Sequence, residues 1–234
     1  MTRLAPGYDR SVLEGLNVIA LPAATAPRYE NRYDADGART QFLLDEGEPI
    51  VLTPQQLTRE VDVLIVAPAY HEFAEPPAIE ARVYALALQG LLRTHDGETR
   101  VRPHPDPWAQ AAPFVRAGGF AFLSDEDTPD AASLAEELAR AGMTVFVTHG
   151  SRGATRFDAS GARDFEAIPA QAVEPTGAGD CFATAFAVRF AECGDLDTAT
   201  RFALAAGAIA VEARGLAAIP SRAEIEARLG KVAA

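Results

Sequence analysis

Between positions 174 and 182 the chain reads Glu174, Pro175, Thr176, Gly177, Ala178, Gly179, Asp180, Cys181, Phe182. Small residues directly ahead of a helix let the backbone amides of Ala178, Gly179 and Asp180 converge on one point. The helix dipole adds positive potential there, and the combination binds an anion. Asp180 falls in the first helical turn. An ionised carboxylate so placed would repel a phosphate, so its position makes chemical sense when it accepts the proton of an attacking hydroxyl. The structural alternative is that Thr176 caps the helix, the glycines make a tight turn and Asp180 only favours the helix N-terminus. A second element weighs against that alternative. Thr148, His149, Gly150, Ser151, Arg152 and Gly153 follow the apolar run 144–147 and form a turn able to approach another phosphate or a ribose. Both motifs fall at the C-terminal ends of predicted elements of one sheet, where open α/β folds bind ligands. No G-x-x-x-x-G-K-S/T loop occurs and no G-x-G-x-x-G opens a first βαβ unit, which argues against P-loop and dinucleotide chemistry.

Positioning these residues requires a covered sheet, and the hydrophobic pattern supplies one. Residues 63–67, 120–123 and 144–147 are continuous apolar runs of the kind that a sheet buried on both faces demands. In 130–141, Leu134 and Leu138 share a helical face. In 178–192, Phe182, Phe186 and Phe190 recur at i, i+4 and i+8 as one stripe. Residues 196–214 and 221–229 predict two further helices, and 108–117 a short one. Alternating strands and helices imply right-handed crossovers and a three-layer α/β/α sandwich with a mostly parallel sheet. Ahead of it, 17–21 predicts a short strand ending at Pro22. The polar, alternating runs 26–33 and 38–44, joined by Asp34, Ala35, Asp36 and Gly37, predict a β-hairpin whose charge on both faces suits a flap. Residues 89–106 have no clear pattern. The expectation is a single domain over 1–234 with a hairpin lid at 23–46.

Composition narrows the partners. Of 234 residues, 48% are apolar and 33 acidic side chains stand against 21 basic ones, a net charge of −12. A chain of this length buries a core without disulfides or structural metal. Its two cysteines, Cys181 and Cys193, have no metal-ligand spacing, so a reduced, cytoplasmic setting is expected. An acidic chain does not suit a nucleic-acid backbone. The longest apolar stretch, 202–211, is about half of what a membrane-spanning helix needs, and the N-terminus lacks a secretory pattern. A small-molecule ligand is indicated.

Thr176, Gly177, Ala178, Gly179 and Asp180, followed by Cys181 and Phe182, together with Thr148-x-Gly150-x-x-Gly153 upstream, resemble the paired signatures of the PfkB, or ribokinase-like, carbohydrate and nucleoside kinases. The likeness is good from about Val61 onward and holds in outline for the hairpin. It implies an ATP-dependent, Mg2+-assisted phosphorylation of a sugar, polyol, cyclitol or nucleoside hydroxyl. Asp180 would be the catalytic base and Gly177, Ala178 and Gly179 the anion hole. Thr148, Gly150, Ser151, Gly153 and Gly207 would contact the nucleotide. The same resemblance suggests a K+ loop of Glu174 and Thr176 facing carbonyls around Ala210, Ala213 and Gly215, although the family usually has Asp where Glu174 stands. At the family's Asn-x-x-Glu element this chain reads Ser124-x-x-Asp127. Asp127 could organise Mg2+ through water, since Mg2+ keeps several waters and takes few carboxylates. A solvated acidic turn ahead of a helix is the alternative.

Family members also begin with a strand bearing a substrate-binding acid and a Gly-Gly element, and this chain has neither. The resemblance implies that the first βαβ portion of the sheet and half of the lid are missing. Uncovered apolar edges should follow, and with them a homodimer through the lid or the open sheet edge. Tyr29, Asn31 and His71 are the candidate substrate contacts, the alternatives being a solvated flap and a surface loop histidine. Arg39, Gln41, Pro49 and Ile50 give a faint likeness to the myo-inositol kinase branch. The competing reading is a non-catalytic nucleotide-binding remnant that lost its sugar half.

Overall fold

A computed structural model describes residues 1–34, 39–57, 60–97 and 99–232. Strands β1 (Thr2–Leu4) and β2 (Ala20–Pro22) pair in parallel, and β3 (Arg28–Tyr33) and β4 (Arg39–Asp45) form an antiparallel hairpin. A single turn, α1 (Pro54–Leu57), precedes β5 (Glu60–Val66) and β6 (Glu80–Ala87). A small antiparallel pair follows, β7 (Arg93–His95) and β8 (Val101–Pro103), and then α2 (Pro107–Ala111). The remaining elements are β9 (Phe120–Ser124), α3 (Ala131–Arg140), β10 (Thr144–Thr148), β11 (Ala154–Asp158), β12 (Gly161–Phe165), α4 (Ala178–Cys193), α5 (Leu196–Ala210) and α6 (Arg222–Val232). The main sheet has the order β12-β11-β10-β9-β6-β5, with β5, β6, β9 and β10 parallel and β11 and β12 running back as a hairpin at one edge.

Strand alternation sorts the core into two layers. On β9, Ala121 and Leu123 face one side, joining Leu86, Val145 and Val147 beneath Leu134 and Leu138 of α3. Phe120 and Phe122 face the other side, where Phe146, Val83 and Ala85 meet Phe182 and Phe186 of α4 and Ala199 and Ala203 of α5. The aromatic stripe therefore does what its spacing requires. Phe186 has no exposed surface and touches Phe120, Phe122, Phe146 and Phe190 at ring-centroid separations of 4.9, 5.6, 4.5 and 5.8 Å. This is the expected three-layer α/β/α sandwich with a mostly parallel sheet.

Several elements differ from the sequence reading. The short N-terminal strand lies at Ala20–Pro22 rather than 17–21. The sequence reading does not reach the central strand β6, because its apolar run is diluted by Ala81, Ala85 and Ala87 and holds a single β-branched residue, Val83. The β11–β12 hairpin was also unread, since the burial of β12 is confined to Phe165 and its other residues are exposed. Residues 89–106 resolve into β7, β8 and their flanking turns. The predicted lid hairpin is present, and it is docked. The Leu43 amide donates to the Thr99 carbonyl at 2.8 Å, and the Tyr29 hydroxyl donates to the Ala69 carbonyl at 2.7 Å. Its predicted turn residues Ala35, Asp36 and Gly37 lie outside the described residues. At the parallel edge strand β5, Val61, Val63, Leu64 and Ile65 are half-buried. Among the described residues no helix is long and apolar enough to cross a membrane.

Phe186→Ala removes the ring at the centre of the aromatic layer. It is expected to cost about 3–5 kcal/mol of unfolding free energy, measured by urea denaturation, and a loss under 1 kcal/mol would contradict this packing.

Candidate active site

The site is assembled where β5, β6, β9 and β10 end and α4 begins. Helix α4 starts at Gly177, which adopts φ +85° and ψ −4°, a left-handed conformation that glycine takes without strain. No side chain caps the helix, so Thr176 does not fill the capping role that the structural alternative gave it. The Ala178 amide donates to the Pro175 carbonyl at 3.2 Å, and Cys181 donates to Gly177 at 2.9 Å. This corrects one expectation, because the Ala178 amide is already used inside the turn. The amides of Gly179 and Asp180 have no backbone acceptor among the described residues. A Cβ placed on Gly179 would meet no protein atom within 4 Å and would project into the open space ahead of the helix. These two amides and that unfilled cradle fit an anion.

Asp180 is solvent-exposed and its side chain enters no hydrogen bond or ion pair among the described residues, yet protein crowds its carboxyl. Burial pushes that carboxyl above the usual carboxylate range, the Arg93 guanidinium pulls it back and the charge of Asp127 adds to the rise. The adjacent Cys181 thiol is pushed up by burial and by Asp180, which leaves it a packing residue and not a nucleophile.

Asp127 lies in the turn after β9 and is only 7% exposed. Its Oδ2 accepts from the Ser124 amide at 2.7 Å and its Oδ1 from Gln89 Nε2 at 3.1 Å. Burial raises its carboxyl above the ordinary range, partly offset by those two donors and by Arg93. The acidic turn is thus not solvated at Asp127, and α3 is capped by Asp130 instead. One hydrogen bond per oxygen leaves each with further acceptor capacity, which fits an outer-shell role toward Mg2+. Among the described residues no group of three or more His, Cys, Asp and Glu side chains could hold a metal by itself.

The glycine turn after β10 is fastened to the same edge. Thr148 Oγ1 donates to the Leu123 carbonyl at 3.3 Å, and the His149 amide donates to Gly153 at 2.8 Å. Gly153 adopts φ +102°, and a Cβ there would sit 2.0 Å from the Phe165 carbonyl oxygen, so only glycine fits. Gly150 also has positive φ, +56°, while Ser151 is exposed at the crest. His149, unnoticed in the sequence as more than a variable position, ties two loops together. Its Nδ1 is 2.9 Å from Asp125 Oδ2 and its Nε2 3.0 Å from Thr155 Oγ1, while Arg152 also pairs with Asp125.

Of the remaining expected residues, Gly207 packs in the α4–α5 contact, where a Cβ would lie 3.7 Å from the Ala178 carbonyl oxygen. That is an ordinary contact distance, so the packing there would accept a methyl group. The amides of Val173 and Glu174 both donate to the Val211 carbonyl, at 2.7 and 3.1 Å, which ties the segment ahead of α4 to residue 211. Asn31 accepts from Gln41 across the hairpin at 2.9 Å and is exposed. His71 is not a free surface histidine. It sits at φ +46°, and its Nε2 lies 2.7 Å from the Arg93 carbonyl oxygen.

Arg93 and Gln89 are the site residues that sequence reasoning missed. Gln89 lies on the turn after β6 and Arg93 opens β7, and between them Gly90 packs so tightly on residues 68–69 that a Cβ there would stand 2.0 Å from the Pro68 carbonyl oxygen. The available signal was a Gln-Gly break inside an otherwise apolar run that ends in an arginine.

The central sheet and its flanking helices match solved ribokinase-type folds. The structure of Arabidopsis thaliana ribokinase complexed with ribose and ATP superposes with a TM-score of 0.70 at 17% identity, covering 97% of this chain and 80% of that one, a likeness of fold alone. Residues 116–223 match the pfkB family carbohydrate kinase model. Over that segment, a little under half of the chain, the protein is similar to that family. It is 37% identical over 97 residues to ribokinase of Bacillus subtilis, covering 40% of this chain and 32% of that protein. It is 36% identical over 191 residues to the bifunctional protein HldE of Bradyrhizobium diazoefficiens, covering 80% of this chain and 34% of that protein. These matches thus span about a third of the length of each curated relative.

Asp127→Asn tests the electrostatic account of the acidic turn. Because the folded carboxyl titrates above its unfolded value, its charge opposes folding at neutral pH, and that cost vanishes once both states are protonated. The Gln89 amide can reverse to accept from the new side chain. The variant should melt at a higher temperature than wild type at pH 7, with the difference closing toward pH 3; a lower melting temperature at pH 7 would contradict the assignment.

Proposed function

We propose that this chain is a phosphotransferase that moves the γ-phosphoryl group of ATP onto a hydroxyl of a small sugar, cyclitol or nucleoside. The observation that carries the proposal is Asp180, an unpaired carboxylate on the first turn of α4, next to two amides without backbone acceptors. In this reading the acceptor hydroxyl lies against Asp180, which takes its proton as the new O–P bond forms. The bond from the γ-phosphorus to the bridging oxygen breaks, and ADP leaves with that electron pair. No covalent enzyme intermediate is needed. The amides of Gly179 and Asp180 stabilise charge on the transferring group, and the fixed arrangement supplies the orientation that makes the step effectively unimolecular. Thr148, Gly150, Ser151 and Gly153 would line the donor. Asp127 would hold Mg2+ through water, and bound Mg2+ would neutralise donor phosphate charge. Glu174 and Thr176 would serve K+.

The raised carboxyl of Asp180 gives the sign of the pH dependence. The base works only when ionised, so kcat/KM should fall on the acid side at a pH above the ordinary carboxylate range. Asp180→Asn should lower kcat by at least about a hundredfold, the scale of lost general-base catalysis, while calorimetric ATP affinity is kept. The assay is ATP-dependent phosphorylation across a panel of sugars, polyols and nucleosides. Retention of most activity by Asp180→Asn would remove the residue from this role, and ATP binding without any phosphorylation would return the remnant reading.

A further inference from the structure

Two carboxylates flank the place where a phosphoryl group would sit, and the chain has a single lysine, Lys231, far along α6. Neutralising charge at the site falls to arginine. One guanidinium lies within electrostatic reach of both Asp127 and Asp180, that of Arg93, and it forms no direct ion pair among the described residues. Its charge is not consumed by a carboxylate partner, as the charges of Arg156 and Arg228 are, and so is available to a ligand.

The surroundings of Arg93 are built to hold it. Its guanidinium carbon lies 5.2 Å from the centre of the Tyr29 ring. That ring belongs to the hairpin and is anchored by its own hydroxyl to the Ala69 carbonyl. The Arg93 backbone is gripped from the other side by His71, which accepts a left-handed φ of +46° to reach the Arg93 carbonyl. A non-glycine residue held there carries a conformational cost of about 1–3 kcal/mol, and such strain gathers at sites where position matters. Arg93 also hydrogen-bonds the Tyr29 side chain, and its planar fork of five donors leaves N–H groups over for a phosphoryl oxygen pair.

We propose that Arg93 is a catalytic residue that contacts the transferring phosphoryl group, and that Tyr29 couples it to the hairpin, so that docking of the hairpin and neutralisation of the phosphoryl charge are one event. The inference rests on the phosphotransferase reading for the identity of the anion, but the contact itself is testable by binding alone.

The test measures pyrophosphate binding by calorimetry and kcat with ATP for wild type, Arg93→Gln, Arg93→Lys, Tyr29→Leu and Asp180→Asn. Arg93→Gln should weaken pyrophosphate at least about tenfold and lower kcat about 10²–10³-fold, the scale of one lost oxyanion donor. Arg93→Lys keeps charge without the planar fork, so it should recover the affinity more than the rate. Tyr29→Leu should weaken pyrophosphate in the same direction by a smaller factor, which a purely structural Arg93 would not produce. Unchanged pyrophosphate affinity in Arg93→Gln, or no pyrophosphate binding by wild type, overturns the proposal. Should Arg93→Gln fail to fold, Arg93→Lys carries the test, and wild-type rate with wild-type affinity overturns it. If Asp180→Asn abolishes transfer while Arg93→Gln retains it, the inference falls and the kinase reading stands. If no acceptor is phosphorylated yet Arg93→Gln loses pyrophosphate, the kinase reading falls and the anion contact stands.

Discussion

In the proposed reaction, Asp127 and Asp180 would stand close to a highly charged phosphate in a chain that already bears a net charge of −12. Repulsion is the problem that the local architecture answers. The first turn of α4 offers two amides without backbone acceptors and the positive end of a helix dipole. The Ser124 amide and Gln89 amide group hold Asp127, and Arg93 sets a positive charge within reach of both acids. The surrounding protein pushes both carboxyls upward, so each is held less firmly in its charged form than a surface acid would be. For Asp180, that bias would suit the proposed uptake of a proton.

This balance needs rigid placement, which the core supplies. The Phe182, Phe186 and Phe190 stripe fixes α4 against β6 and β9, so the helix start cannot drift from the strand ends. Gly90 and Gly153 permit backbone approaches that any side chain would block, and each lies on a segment that bears a site residue. Side-chain bonds then link the loops. His149 fastens the glycine turn to Asp125, and His71 fastens the loop after β5 to Arg93.

The sequence made visible those parts whose logic is local. The apolar runs, the i, i+4, i+8 aromatic stripe and the small residues ahead of α4 each state their role within about ten positions, and the sandwich and the helix-start site follow from them. The Ala178 amide was misjudged because the left-handed Gly177 folds it back on Pro175, a matter of one dihedral angle that composition does not reveal. Gln89, Arg93 and His149 were illegible for a different reason. Their meaning comes from crossings between segments distant in sequence, such as the one at Gly90 and Pro68, and no periodicity encodes a crossing. Strand β6 was lost to its alanines, although it sits in the middle of the sheet.

The account turns on where the phosphate end of a donor binds. Amide NMR of the ¹⁵N-labelled chain, titrated with Mg2+ and ATP, reads this directly. The largest shifts should fall on the amides of Gly179 and Asp180, with the 148–153 turn moving alongside. If those two amides stay still while ATP binds and shifts residues elsewhere, the helix-start site is not the phosphate site and the central claim is wrong.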